Sequence, residues 1–362
     1  MTKIAISAAE TSGDLIGSTL VQALKIQDPA LNIEGLCGEK MQTQGCKKHW
    51  DMSLVNVMGF SEVLKKLSSL LRLRKSIIEH FSQHRPDVFI GVDAPDFNFV
   101  IERKLKNLGI KTVHFISPSV WAWRASRVKK IKRSSDLILC LFPFEVDFYM
   151  RHNQRAVFVG HPLAEKLTPR KNHQAGKNIL LMPGSRAGEV KRLLPEMLLA
   201  AKLMSHQDPS FKFHLALANK ELLKWVKNII GNQDISLSVN KVHEHMQSAD
   251  VVLVASGTAT LELSLIGVPM VVVYKLSTLS YFIASNLVKS KFISLPNVIS
   301  NKALVPELIQ KEANGDNIAR HAMRILKSDH SVLTEEFSKI HKSLCLNASQ
   351  ESAKLILEFI HE

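Results

Sequence analysis

A chain of 362 residues, 46% hydrophobic and 22% charged, is long enough for about two domains with sizeable cores, and this composition excludes a disordered, collagen-like or coiled-coil protein. Its 47 Lys and Arg against 33 Asp and Glu leave a net charge of +14 and an isoelectric point of about 9.6. That excess calls for an anionic partner: nucleic acid, a phosphorylated substrate or an acidic membrane surface.

The opening residues, MTKIAISAAETSGD, hold no apolar run long enough for a signal peptide, because Glu10 and Asp14 interrupt it. Cys37, Cys46, Cys140 and Cys345 lack C-x-x-C pairing and read as reduced, mostly buried thiols of a cytosolic protein. In chain order, the first half predicts a strand at Lys3–Ala8, a helix at Leu15–Lys25 and a strand at Asn32–Leu36. Strands at Asp87–Val92 and Lys111–Ile116 flank a helix through Ile101–Leu108, and strands at Leu137–Leu141 and Ala156–Val159 follow. In the second half, strands are expected at Asn178–Met182, Lys212–Leu217, Ser236–Val239, Val251–Ala255 and Val271–Tyr274, the last closing the series. Helices after Glu189 and near Leu222–Ile230 separate them. The stretch Val251–Tyr274 matches a membrane span in length, but Gly257, Glu262, Gly267 and Pro269 break it into strand, turn, short helix and strand.

Alternating strands and helices imply βαβ units, hence an α/β fold with parallel sheets. The polar segment Glu165–Gly176 interrupts the series, dividing a domain at residues 1–168 from one at 177–335, with a C-terminal helix at 336–362. Two doubly wound, Rossmann-like domains facing one another would hold their ligand at the carboxyl ends of their strands.

Four loops in such positions carry candidate chemistry. Glu10-Thr11-Ser12-Gly13-Asp14 follows the first strand; Thr11 or Ser12 can cap the next helix, and the exposed N–H groups can hold a phosphate. From this loop alone a plain capped turn is the better reading. Pro183-Gly184-Ser185-Arg186 offers backbone donors from Gly184 and Ser185 and a guanidinium fork suited to a diphosphate. Ser256-Gly257-Thr258 can cradle a phosphate, and Glu262, one helical turn on, either accepts from ribose hydroxyls or is a solvated acid. Asp93 ends an apolar strand, where desolvation would raise a carboxylate toward general-base range, while Asp96 is assigned as cap of the following helix.

No Asp-x-Asp, Walker or G-x-S-x-G sequence occurs, and G-x-G-x-x-G is missing after the first strand. The close histidine pairs, His80/His84 and His243/His245, lack acidic or cysteine partners at ligand spacing and read as surface histidines. Neither metal nor cofactor is expected. The helix at residues 62–81 is apolar over about half its wheel, with Lys66 and Arg74 intruding. It is either an interfacial helix dipping into anionic lipid or a helix between core and cleft with snorkelling cations. Trp121-Ala122-Trp123-Arg124, with Arg127, Lys129, Lys130, Lys132 and Arg133, suits nucleic acid, lipid headgroups or a solvated face; part of it should look into the cleft. The aromatic and basic stretch Tyr281–Phe292 suits the same membrane-facing role.

Taken together, SAAETSGD, GVDAPDFN, SPSVWAWR, LPGSRAGEV and ASGTATLE, in this order, resemble the lipid-A-disaccharide synthase family nearly end to end. FPFE (Phe142–Glu145), VGHP (Val159–Pro162) and SLPN (Ser294–Asn297) extend the likeness. The resemblance implies a GT-B glycosyltransferase fold, with an acceptor-side first domain and a UDP-sugar-binding second domain. It implies transfer of 2,3-diacylglucosamine from UDP to the 6-hydroxyl of 2,3-diacylglucosamine 1-phosphate (lipid X). The products would be a β-1,6-linked disaccharide 1-phosphate and UDP, formed in the cytoplasm at the anionic inner-membrane surface of a Gram-negative bacterium. Asp93 matches the family's general base for an inverting transfer. Gly184, Ser185, Arg186, Ser256, Gly257, Thr258 and Glu262 would bind UDP, while Glu10, Ser12, Asp14, Trp123 and Arg124 would line the acceptor side. Nucleic acid is not an expected partner, and a homo-oligomer is left open. Another UDP-sugar enzyme, such as a muramyl-lipid N-acetylglucosaminyltransferase or a UDP-N-acetylglucosamine 2-epimerase, shares the second-domain turns but does not account for GVDAPDFN followed by SPSVWAWR.

Overall fold

The structure, a computed structural model, describes the chain except residues 56–59, 119–126, 171–175, 219, 240 and 278–289; for residues 53 and 60–67 it describes the backbone alone. The chain divides into two compact units, Met1–Pro162 with Leu344–Glu362, and Leu163–Ser343.

The first unit runs β1 (Lys3–Ala8), α1 (Thr11–Gln27), β2 (Asn32–Cys37), α2 (Glu39–Thr43), β3 (Lys47–Asp51), α3 (Phe60–Gln83), β4 (Val88–Val92) and α4 (Pro95–Lys106). It continues through β5 (Lys111–Phe115), α5 (Val128–Ser134), β6 (Leu137–Cys140), α6 (Pro143–Met150) and β7 (Ala156–Phe158). All pairs are parallel, in the order β3-β2-β1-β4-β5-β6-β7. Strands β1, β4 and β6 are almost continuously apolar because both sheet faces are covered there. Ile4, Ile6, Val88 and Ile90 pack on one side with Leu20, Leu24 and Ile356; Ala5 and Phe89 pack on the other with Ile77, Phe81 and Ile101.

After α7 (Pro162–Lys166), the second unit follows with β8 (Asn178–Met182), α8 (Ala187–Gln207), β9 (Lys212–Leu217), α9 (Leu223–Ile230), β10 (Ile235–Val239), α10 (Val242–Ser248) and β11 (Val251–Ala255). Next come α11 (Thr258–Ile266), β12 (Met270–Tyr274), α12 (Leu295–Ser300), β13 (Glu307–Ile309), α13 (Gly315–Leu326) and α14 (Ser331–Leu344). Its sheet is also parallel, ordered β10-β9-β8-β11-β12-β13. A final helix, α15 (Ala348–His361), belongs to the first unit, where Phe359 and Ile360 carbonyls accept from Lys111 Nζ at 2.9 and 2.8 Å.

Three expectations change. Strands β3 and β13 were not anticipated, so Val271–Tyr274 does not close the series; KKHWD and ELI are edge strands, which need no continuous apolar run. The C-terminal segment 336–362 is not one helix but the end of α14 and then α15, separated at Asn347, whose left-handed backbone (φ 56°) redirects the chain. Third, the apolar arc on α3 is not one free face. Leu73, Ile77 and Phe81 are core residues packed with Phe89, Phe97 and Ile101, whereas Leu71 is 52% exposed. Leu73→Ala is therefore expected to cost about 2–5 kcal/mol of stability in a denaturant melt, and Leu71→Ala within about 0.5 kcal/mol. Equal effects would place Leu73 outside the core.

Among the described residues, no helix is long and apolar enough to cross a membrane. Cys37, Cys46 and Cys140 are buried free thiols, and Cys345 is an exposed one.

Candidate functional site

In each sheet the chain reverses direction of winding at one place, between β1 and β4 in the first unit and between β8 and β11 in the second. Helices leave opposite faces there, opening a crevice beyond the strand ends, the usual ligand position in open parallel sheets. The four loops singled out in the sequence are the four that follow these strands.

In the first unit, α1 begins at Thr11 and its cap position is Glu10, not Thr11 or Ser12; no side chain caps it. The first-turn N–H groups of α1 are thus free of a side-chain cap and available to an anion. Gly13 brings this turn close to β4, since a Cβ there would stand 3.4 Å from the Val92 carbonyl oxygen. Beside it, Asp93 and Ala94 both adopt left-handed backbone, φ 51° and 42°, and Ile116 at the end of β5 does so at 78°. Three non-glycine residues so held, each costing about 1–3 kcal/mol, mark a loop cluster whose shape is maintained for something other than stability. Buried Asn98 restrains it: its Nδ2 donates to the carbonyls of Asp93, Val92 and Ser7 at 2.8, 3.2 and 3.2 Å, and its Oδ1 accepts from Ser7 Oγ at 2.7 Å.

Asp93 is half-buried, and among the described residues its carboxylate has no hydrogen-bond or ion-pair partner. Glu10 is its electrostatic neighbour: burial first, and then the charge of Asp93, raise the Glu10 carboxyl above its ordinary range. Asp96 does not cap α4. Pro95 takes the first helical position, moving the cap to Ala94, and Asp96 lies exposed in the first turn, 3.7 Å from Arg127. A cavity of about 670 Å³ lies here, walled by Glu10, Thr11, Ser12, Leu70, Arg74, Asp96 and Phe97; Asp93 is not part of its wall, but its chain neighbour Ala94 is.

By sequence Arg74 is only a cation intruding on an apolar helix face. It is the basic residue of this cavity, lying over the Phe97 ring at 5.1 Å and donating Nη2 to the Asp96 carbonyl at 2.7 Å. Its Nε is buried without a hydrogen bond. Asp14, expected on the acceptor side, is turned away: it is buried and accepts from the Gly38, Lys40 and Met41 N–H groups at 2.8, 3.1 and 3.3 Å. Those bonds fix the turn into α2 and engage both carboxylate oxygens. Trp123 and Arg124 lie outside the described residues.

In the second unit, a cavity of about 490 Å³ is walled by Gly184, Ser185, Ser256, Gly257, Thr258 and Glu262. Gly184 has φ 106°, and a Cβ on it would meet Glu189 Oε2 at 2.2 Å, so a side chain there would strain the backbone and displace Glu189. Gly257 faces open space. Neither α8, whose cap is Arg186, nor α11, whose cap is Gly257, has a side-chain cap, so both helix N-termini present their N–H groups to the crevice. Arg186 itself is exposed and is not part of the cavity wall. Ser256 Oγ donates to the Ile293 carbonyl at 2.8 Å, tying this loop to the SLPN segment. That segment is held by Glu307, which accepts from Ile293 N, Ser294 N, Ser294 Oγ and Asn297 Nδ2 at 2.6–3.0 Å.

Glu262 has its carboxyl raised by burial, opposed by His243 and Lys166. His243, read from the sequence as a surface histidine, is part of this wall, with Nε2 3.7 Å from Glu262. No local spacing signals it, since α10 brings it in from a separate βα unit. His80 also acquires an acid, Glu34, at 3.8 Å, which spacing along the chain does not reveal.

The comparisons with known proteins agree with this arrangement. Solved structures of the same fold include the UDP-GlcNAc 2-epimerase of Neisseria meningitidis bound to UDP-GlcNAc (TM-score 0.66, 12% identity, 99% of each chain). Another is MurG of Acinetobacter baumannii (TM-score 0.59, 14% identity, 99% of this chain and all of that one). The fold is thus that of the GT-B glycosyltransferases. Curated lipid-A-disaccharide synthases from Hahella chejuensis and Psychromonas ingrahamii are each 42% identical to this chain, covering 99% of it and 95% and 98% of their own lengths. The family model for lipid-A-disaccharide synthetase matches residues 4–359, and with this whole-length agreement the chain belongs to the lipid-A-disaccharide synthase family of glycosyltransferases.

Proposed function

We propose that the protein condenses UDP-2,3-diacylglucosamine with 2,3-diacylglucosamine 1-phosphate, giving the β-1,6-linked disaccharide 1-phosphate and UDP. The observation that carries this reading is the pair of strand-end cavities: one beside a strained, unpartnered carboxylate, the other walled by glycine turns and uncapped helix N-termini. Asp93 takes the proton of the acceptor 6-hydroxyl as that oxygen forms its bond to the anomeric carbon. The bond from that carbon to the UDP oxygen breaks on the opposite side, inverting the centre. Glu10 and Asp93 repel, and burial first, then the charge of Asp93, raise the Glu10 carboxyl.

The departing diphosphate gathers negative charge. Arg186, the Gly184 and Ser185 N–H groups and the N-termini of α8 and α11 are suited to hold it. Glu262 accepts from the ribose hydroxyls, with His243 opposite its carboxylate. Arg74, with a buried Nε seeking an acceptor, suits the acceptor's 1-phosphate. The +14 charge and the exposed Leu71 on α3 suit peripheral attachment to anionic lipid, as acylated substrates require. Leu71→Ser should shift the protein from anionic vesicles to the supernatant without lowering its melting temperature; unchanged partition would remove Leu71 from the contact.

The function is tested in mixed micelles, following the disaccharide by mass and UDP by release. Product that requires both acylated substrates is expected. Consumption of unacylated UDP-N-acetylglucosamine without an acceptor would instead make the protein an epimerase.

A further inference from the structure

Away from both cavities, the edge of the first sheet gathers an acid and two histidines from three elements: Glu34 on β2, His49 on β3 and His80 on α3. Their donor atoms lie within 4.8 Å of one another. Glu34 Oε2 meets His49 Nε2 at 2.8 Å, while its other oxygen is 3.8 Å from His80 Nε2, too far for a hydrogen bond. His80 Nε2 is buried and makes no hydrogen bond.

The backbone and rings favour this convergence. Pairing between β2 and β3 shifts register at Gly35/Leu36, with Lys48 and Trp50 as successive partners, so His49 is the extra residue of a bulge. Bulges are rare between parallel strands, and where they occur at sheet edges they re-aim a side chain. The His49 and His80 rings lie 4.6 Å apart by centroid, and Trp50 packs edge-on against His80 at 5.4 Å. We propose that Glu34, His49 and His80 form a binding site for a divalent transition metal, zinc foremost, which ties α3 to the edge of the sheet.

The chemistry fits. Two imidazoles and one carboxylate are a zinc donor set, leaving a fourth position for water. Hard cations such as magnesium or calcium prefer all-oxygen sites. Zinc bonds of about 2.0–2.2 Å place tetrahedral ligand atoms about 3.4 Å apart, within an ångström or so of the observed spacings. The same helix carries Leu70 and Arg74 into the first-unit cavity. A metal here would therefore brace one wall of that cavity while touching none of the reacting groups.

The test uses tag-free protein freed of metal by chelator, titrated with Zn²⁺ by calorimetry and with Co²⁺ by visible absorption. One high-affinity equivalent is expected, with a Co²⁺ spectrum of histidine–carboxylate ligation. His49→Ala and His80→Ala should each weaken it at least tenfold, whereas His84→Ala should not. Zinc at a hundredfold excess over its Kd should raise the wild-type melting temperature by about 5 °C or more, but not that of His49→Ala. Zinc protection of His49 and His80 from diethylpyrocarbonate, mapped by mass spectrometry on wild-type protein, gives the same answer if a variant fails to fold. No high-affinity binding, or binding unchanged in both variants and lost instead in His243→Ala, would overturn the proposal.

Discussion

Asp93→Asn is expected to lower kcat by about 10²–10⁴-fold while leaving UDP affinity nearly unchanged. The substitution is a clean one for a physical reason. Asp93 sits at φ 51°, and asparagine is among the few residues that tolerate this region, so the loop and its clamp to Asn98 should persist. What changes is the ability to accept a proton. Kinetics on folded, UDP-competent protein check this, and near-normal turnover would remove Asp93 from the role of base. Alanine is the poorer probe, because it adds backbone strain to the loss of the carboxylate.

Arg186→Ala is expected to lower kcat by about 10²–10³-fold, the scale seen when one donor to a developing charge is removed. Its effect should fall on kcat more than on KM, since negative charge on the diphosphate grows as the sugar departs. The residue is exposed at the cap of α8 and packs against little, so stability should hardly move. Arg186→Lys should recover only part of the rate, because an ammonium lacks the planar fork that matches two phosphate oxygens. A loss confined to KM would instead mean that Arg186 binds ground state and transition state alike.

The fold was legible where burial writes it into composition. Runs such as VFIGV and VVLVA stand in parallel strands covered on both faces, and the turn residues that bound them mark them as buried strands. The edge strand KKHWD carries no such signature, because one side of it meets solvent. The loops of the site were legible for a topological reason: residues just after the switch-point strands border the crevice whatever their neighbours do.

Side-chain direction was not legible in the same way. Asp14 and Glu10 belong to one loop, yet Asp14 turns inward to the N–H groups of Gly38 to Met41 while Glu10 borders the cavity. Arg74 and His243 arrive on helices, and their place on cavity walls depends on how those helices pack. Hydrophobic periodicity likewise cannot separate a helix face that meets a core from one that meets lipid. Leu71 and Leu73, two positions apart, fall on different sides of that distinction. Glu34, His49 and His80 are 15 and 31 residues apart, and only the sheet edge brings them together.

The central claim is a single displacement in which Asp93 activates the acceptor oxygen, and the configuration of the product tests it most directly. The disaccharide made by the wild-type enzyme from the α-linked UDP donor is examined by the coupling between its anomeric proton and H2. A β-linkage, formed by attack opposite the departing UDP, is the expected result. An α-linkage would contradict it, requiring either a covalent sugar–enzyme intermediate or attack from the leaving-group side.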